Sequence, residues 1–122
     1  MKLVDSSCWI DYFTGQSKSD YYSAAIVDTD NLIVPTVCLY EVYKKILIER
    51  GKREALRAVA AMRVGNIVGL DVDLAIQAAG ISREHGIPMA DSIIYATAKQ
   101  ARAQLITKDS HFKGLSGVRY VP

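Results

Sequence analysis

The chain has 122 residues, half of them hydrophobic, with 15 Lys and Arg against 13 Asp and Glu and a net charge of +2. That is enough for one hydrophobic core, so a single domain spanning residues 1–122 is expected. No apolar run approaches the roughly 20 residues of a membrane helix, and Met1-Lys2-Leu3-Val4-Asp5 lacks the apolar stretch of a secretory signal, which excludes a membrane protein and leads us to expect a soluble, cytoplasmic one.

Lys2 to Val4 reads as a short strand ending at Asp5, with Ser6 and Ser7 as cap candidates for a helix carrying Cys8, Trp9, Ile10, Tyr12 and Phe13. Gly15 to Ser19 reads as a loop and Asp20 to Asp28 as a helix. Leu32-Ile33-Val34 is the next strand, closed by Pro35 and followed by Thr36 as a cap. In the long helix after it, Leu39, Val42, Tyr43 and Ile46 share one stripe, and Gly51 ends it. Glu41 lies off that stripe. Residues 52–63 form a further helix, Asn66 to Leu70 a third strand, and Asp71 caps a helix running to Glu84. After the break at His85-Gly86-Ile87-Pro88, the segment Met89 to Arg102 is apolar around much of its circumference, as a helix buried mid-domain would be. Leu105 to Thr107 and Val118 to Val121 complete the strands. Strands alternating with helices predict a three-layer α/β/α fold around a parallel sheet of about five strands.

Four acids, Asp5, Glu41, Asp91 and Asp109, stand where strand-like runs or their connectors give way to helix-like sequence. In a parallel α/β sheet such junctions gather at the carboxyl ends of the strands. Each acid has a structural alternative: Asp5 as a helix cap, Glu41 as a partner of Lys44 or Lys45, Asp91 in a helix's first turn, Asp109 as a turn cap. Four carboxylates converging in one crevice repel one another unless a cation sits among them. Hard oxygen ligands suit Mg²⁺ or Mn²⁺, and such an ion suits phosphodiester hydrolysis by activating water and offsetting charge on the attacking and leaving oxygens. His85 and His111 read as surface or turn residues. Cys8 and Cys38 have no Cys-x-x-Cys or Cys/His spacing and read as reduced core thiols.

Seven of the basic residues fall between Lys44 and Arg63, and Lys44, Lys45, Arg53 and Arg57 are the candidates for contact with a phosphate backbone; a solvated helix pair is the alternative. Trp9, Tyr12, Phe13, Tyr40 and Tyr43 either pack the core or line a groove for a partner helix. A receiver-like phospho-acceptor domain wants an acidic pair after the first strand and an Asp after the third, and a haloacid-dehalogenase-like phosphatase wants Asp-x-Asp. Here Asp5-Ser6-Ser7 provides neither pattern.

The runs Leu3-Val4-Asp5-Ser6-Ser7-Cys8-Trp9-Ile10, Ala90-Asp91-Ser92-Ile93-Ile94-Tyr95-Ala96-Thr97-Ala98 and Leu105-Ile106-Thr107-Lys108-Asp109-Ser110-His111-Phe112, with Glu41 between the first two, resemble PIN-domain ribonucleases, and among them the VapC toxins of prokaryotic toxin-antitoxin modules. The resemblance implies Mg²⁺- or Mn²⁺-dependent endonucleolytic cleavage of RNA. It implies Asp5 and Asp91 as the principal metal ligands, Glu41 and Asp109 completing the site, and Ser7 and Thr107 supporting it. It also implies a homodimer and a cognate VapB-like antitoxin. A catalytically inactive PIN module that acts by binding a partner remains the alternative.

Overall fold

The computed structural model describes residues 1–15 and 20–122. In chain order its elements are β1 (Lys2–Val4), α1 (Ser6–Thr14), α2 (Asp20–Val27), β2 (Leu32–Pro35), α3 (Thr36–Arg50), α4 (Lys52–Met62), β3 (Asn66–Val68), α5 (Val72–His85), α6 (Met89–Gln100), β4 (Gln104–Thr107) and β5 (Val118–Tyr120), with 3-10 turns at Thr29–Asn31 and Ser110–Phe112. The five strands form one all-parallel sheet in the order β3-β2-β1-β4-β5, the centre of a three-layer α/β/α fold.

Burial accounts for the order. Leu3 and Val4 in β1, Leu32 to Val34 in β2 and Leu105 and Ile106 in β4 are buried on both faces, the continuous apolar pattern of central parallel strands. Each such side chain contributes about 1.5–3 kcal/mol relative to remaining exposed. The edge strands β3 and β5 are short and mostly exposed. Gly65, just before β3, lets that edge approach closely: a Cβ there would stand 2.8 Å from Cγ2 of Val34 and 3.2 Å from the Leu32 carbonyl oxygen. A smaller apolar cluster of Leu74, Ala78, Ile93 and Ala96 joins α5 to α6.

The buried stripe of α3 contains Val42 and Ile46, flanked by half-buried Leu39 and Tyr43, as its spacing predicts. From Asp91 to Ala98 every residue of α6 is buried. Asp71 does cap α5, accepting from the Leu74 N–H at 2.9 Å.

Several local expectations are corrected. Ser6 and Ser7 lie inside α1 instead of capping it, and Thr36 is the first residue of α3, whose cap position is Pro35. The third strand stops at Val68, where Gly69 and Leu70 are exposed and unpaired by the register with β2. The helix at Asp20 ends at Val27, and α6 ends at Gln100 because Arg102 leaves the right-handed region. The loop predicted from Gly15 to Ser19 falls, after Gly15, outside the described residues.

Both thiols are buried. Burial pushes the Cys8 thiol up to about 12 and raises that of Cys38, so both remain protonated and poorly nucleophilic at neutral pH. Trp9 is a core residue stacked on Phe13 at 5.6 Å between ring centroids, whereas Tyr12 and Tyr40 are exposed. None of the described helices is long and apolar enough to cross a membrane.

Candidate active site

In the strand order, successive strands run outward from β1 through β2 to β3 on one side and from β4 to β5 on the other. The reversal lies between β1 and β4, and the side chains just beyond the carboxyl ends of those two strands border the resulting crevice. Asp5 follows β1 directly, and its N–H extends the ladder to the Ile106 carbonyl at 2.9 Å. Asp109 follows β4. Glu41 enters from the second turn of α3, and Asp91 from the first turn of α6. All four line one cavity of about 410 Å³, with Ser6, Ser7, Tyr40, Lys44 and Lys45 also on its wall.

The Asp5 carboxylate does not cap α1. Its Oδ2 accepts hydrogen bonds from Ser7 Oγ at 2.7 Å and from Thr107 Oγ1 at 2.8 Å, which turn it toward the crevice. Both hydroxyls are used twice: Ser7 Oγ accepts the Lys108 N–H at 3.1 Å, and Thr107 Oγ1 accepts the Asp109 N–H at 2.9 Å. The β4 exit is thereby tied to the β1 exit. Ser6 Oγ donates to Glu41 Oε1 at 2.7 Å, tying α1 to α3. Lys108, whose backbone joins this network, reaches away from the four acids to pair with Asp11 at 3.3 Å.

His111 enters this arrangement although its sequence context marked it only as a turn residue. It does stand in the turn after Asp109, exposed, with its N–H on Asp109 Oδ1 at 2.9 Å. Its Nδ1 lies 2.8 Å from Asp91 Oδ2 and 3.2 Å from Asp109 Oδ1. Donor atoms of Asp91, Asp109 and His111 all fall within 4.8 Å of one another; Asp5 and Glu41 line the same cavity outside this tight trio. The one available signal was its position two residues beyond an acid at the end of a central strand.

Charge in the crevice is unbalanced. Among the described residues no Lys or Arg forms an ion pair with any of the four acids. Burial raises the Asp5 carboxyl, with the charge of Asp109 adding to it, against the lowering hydrogen bonds of Ser7 and Thr107. Burial likewise raises Glu41, reinforced by Asp5 and Asp109. Asp91 is pushed up to about 6, first by burial and then by the charge of Asp109, with His111 opposing. The hydrogen bond to Asp91, followed by the charge of Asp109, raises the His111 imidazole. Four carboxylates with one imidazole and no Lys or Arg paired to them among the described residues leave an excess of oxygen donors that fits a hard divalent cation.

The predicted cationic residues divide. Lys44 and Lys45 are on the wall of the acidic crevice, and Lys45 also pairs with Glu49 at 3.0 Å. Arg53 and Arg57 are exposed on α4, away from that wall; Arg57 pairs with Glu54 at 3.6 Å and borders a separate small cavity beside Phe13 and Arg50.

Known structures share this architecture. A toxin-antitoxin complex from Klebsiella pneumoniae contains a chain 25% identical to this one, with a TM-score of 0.81 over 98% of this chain and 96% of that chain. VapC20 of Mycobacterium tuberculosis, a toxin that cleaves the sarcin-ricin loop, superposes with a TM-score of 0.76 at 18% identity over 95% of both chains. VapBC2 from Rickettsia felis, solved on a DNA fragment from its promoter, gives 0.74 at 12% identity over 98% of this chain and 96% of that one. No curated protein matches the chain significantly in sequence. The PIN domain profile matches residues 2–118, which takes in every strand junction that supplies an acid to the crevice. The chain therefore belongs to the PIN domain family.

Proposed function

We propose that this protein is a divalent-metal-dependent endoribonuclease, a single-domain toxin of a toxin-antitoxin pair. The observation that carries the proposal is the convergence of Asp5, Glu41, Asp91 and Asp109 on one cavity with no Lys or Arg paired to them among the described residues. These four side chains would hold Mg²⁺ or Mn²⁺. A cation held by them supplies Lewis-acid activation and charge neutralisation for hydrolysis of a phosphodiester.

The chain's own residues do the rest. Ser7 and Thr107 fix the Asp5 carboxylate through two hydrogen bonds to one oxygen, leaving the other oxygen free of them. Ser6 holds Glu41 through a single hydrogen bond to Oε1. Holding carboxylates in place before substrate arrives removes reorganisation from the reaction coordinate. Lys44 and Lys45 on the cavity wall offset the repulsion between an acidic site and a polyanionic strand. Arg53 and Arg57 extend the cationic surface along α4.

The toxin-antitoxin assembly of the Klebsiella and Rickettsia relatives supports a VapB-like antitoxin as partner, and the activity of the mycobacterial relative supports RNA as substrate. A homodimer in the cytoplasm completes the reading. Purified protein freed of antitoxin is expected to cut RNA with Mg²⁺ or Mn²⁺ and to lose that activity in EDTA; cutting that persists in the chelator removes the metal from the account.

A further inference from the structure

A second cavity, of about 360 Å³, opens at the opposite end of the sheet, where the chain leaves α6 and enters β4. Tyr95, Lys99, Arg102, Gln104, Ser116 and Gly117 line it, and no carboxylate does among the described residues. Lys99 Nζ stands 5.0 Å from the centroid of the Tyr95 ring and 3.5 Å from Ser116 Oγ. Lys2, on the neighbouring strand β1, donates to Gln104 Oε1 at 2.9 Å. Among the described residues none of Lys2, Lys99 and Arg102 forms an ion pair with an acid.

Arg102 makes the arrangement harder to ascribe to folding alone. Its φ of 52° makes it the one non-glycine residue in the left-handed region among the described residues. The Ala103 N–H bonds the Ala98 carbonyl at 2.9 Å and the Arg102 N–H bonds the Lys99 carbonyl at 3.2 Å. That is a Schellman ending with Arg102 at the position glycine favours, because any Cβ is strained there. The same two bonds satisfy carbonyls that the basic side chains would otherwise cap. The Arg102 guanidinium has no hydrogen-bond or ion-pair partner among the described residues, and it borders the cavity. Backbone strain that keeps an unpaired cation at a cavity is a signature of a binding role.

We propose that this cavity is a phosphate site in which Lys99 and Arg102, supported by Lys2 and Ser116, hold a backbone phosphate of the nucleic-acid strand at a distance from the acidic crevice. The proposal rests on the nuclease reading for the identity of the strand. Arginine's planar fork and a lysine point charge suit a phosphate oxyanion, and Tyr95 keeps the Lys99 ammonium over the site.

The test compares wild type with R102G and with the K99A/R102G double variant, in EDTA, against single-stranded oligoribonucleotides of about 20 and about 2 nucleotides. At 3.4 Å per stacked nucleotide these span roughly 70 and 7 Å, and the four residues of β4 alone separate the two ends of the sheet by about 10 Å, so only the longer reaches both. The double variant is expected to bind the long strand about three- to tenfold more weakly, with a salt slope lower by roughly one to two, and to bind the short strand as wild type does. R102G is expected to melt at a higher temperature than wild type because glycine relieves the strain. Unchanged long-strand affinity and salt slope in the double variant overturn the proposal. Binding of neither strand by the wild type in EDTA likewise overturns the proposal, because this site needs no metal, whereas the nuclease reading fails separately, on absence of cleavage with Mn²⁺. Titration with inorganic phosphate then decides the site: shifts of the Ser116 and Gly117 amide resonances that disappear in R102G support it, and no such shifts in the wild type overturn it.

Discussion

Nδ1 of His111 lies 2.8 Å from Oδ2 of Asp91, so an exposed imidazole supplies to a buried acid the only ring or cationic contact that acid has among the described residues. In the proposed metal site this pair would couple cation binding to protons. Asp91 must lose its proton, and its acidity is displaced up to about 6 by burial and by Asp109. Affinity for Mn²⁺ is expected to fall steeply as pH drops through 6, with proton release at pH 6 exceeding that at pH 8. Calorimetry in two buffers of different ionisation enthalpy measures this; affinity that is flat from pH 5 to 8 contradicts it.

The same groups govern stability in the absence of metal. Asp5 and Asp91 hold protons more tightly folded than unfolded, so the folded state binds more protons above the ordinary aspartate value of 3.8. For Asp91 stability is therefore lost as pH rises from about 4 through about 6. The raised imidazole of His111 acts in the same sense at higher pH, its contribution disappearing as pH climbs through its folded value. Melting curves in EDTA should show a decline from pH 5 to pH 8 that Mg²⁺ reverses. Asp91→Asn should melt higher than wild type at pH 8 in EDTA and gain less from Mg²⁺. A metal-free wild type more stable at pH 8 than at pH 5 is the opposite result.

Thr107 is buried and its hydroxyl serves two acids at once, donating to Asp5 and accepting from the backbone of Asp109. Thr107→Val keeps the shape and deletes both bonds. It is expected to cost about 1 kcal/mol of stability and about 10- to 100-fold in cleavage rate, with Thr107→Ser close to wild type. Equal rates for the valine variant and wild type would remove Thr107 from the site.

Reversing Lys44 and Lys45 should weaken RNA binding and flatten its salt dependence more than reversing Arg53 and Arg57, because only the first pair is on the crevice wall. Filter binding at several salt concentrations separates the pairs. A larger effect from the α4 arginines would move the strand's path onto that helix.

Much of this was legible in the sequence for a physical reason. The central strands are short apolar runs, and Asp5 and Asp109 stand just past their ends, so parallel topology alone brings them to one edge. Glu41 was legible because it falls off the buried stripe of α3, and Asp91 because it enters a helix buried on all sides. What escaped was side-chain reach. Nothing in the spacing of Asp109 and His111 reveals that the 3-10 turn folds the imidazole back over Asp91. Two serines beside Asp5 were legible as hydroxyls able to orient its carboxylate, and Ser7 does so; neither caps the helix because Asp5 occupies the cap position and both serines lie inside α1, where their hydroxyl protons go to Glu41 and Asp5. The ends of β3 and α6 depended on an exposed edge and on the left-handed backbone of Arg102, neither visible to periodicity.

The most direct measurement is cleavage of a labelled RNA by antitoxin-free protein and by Asp91→Asn, each with Mn²⁺ and with EDTA. The account predicts discrete products from the wild type with Mn²⁺ and none in the other three reactions. Products of the same size and yield from Asp91→Asn in EDTA would contradict it.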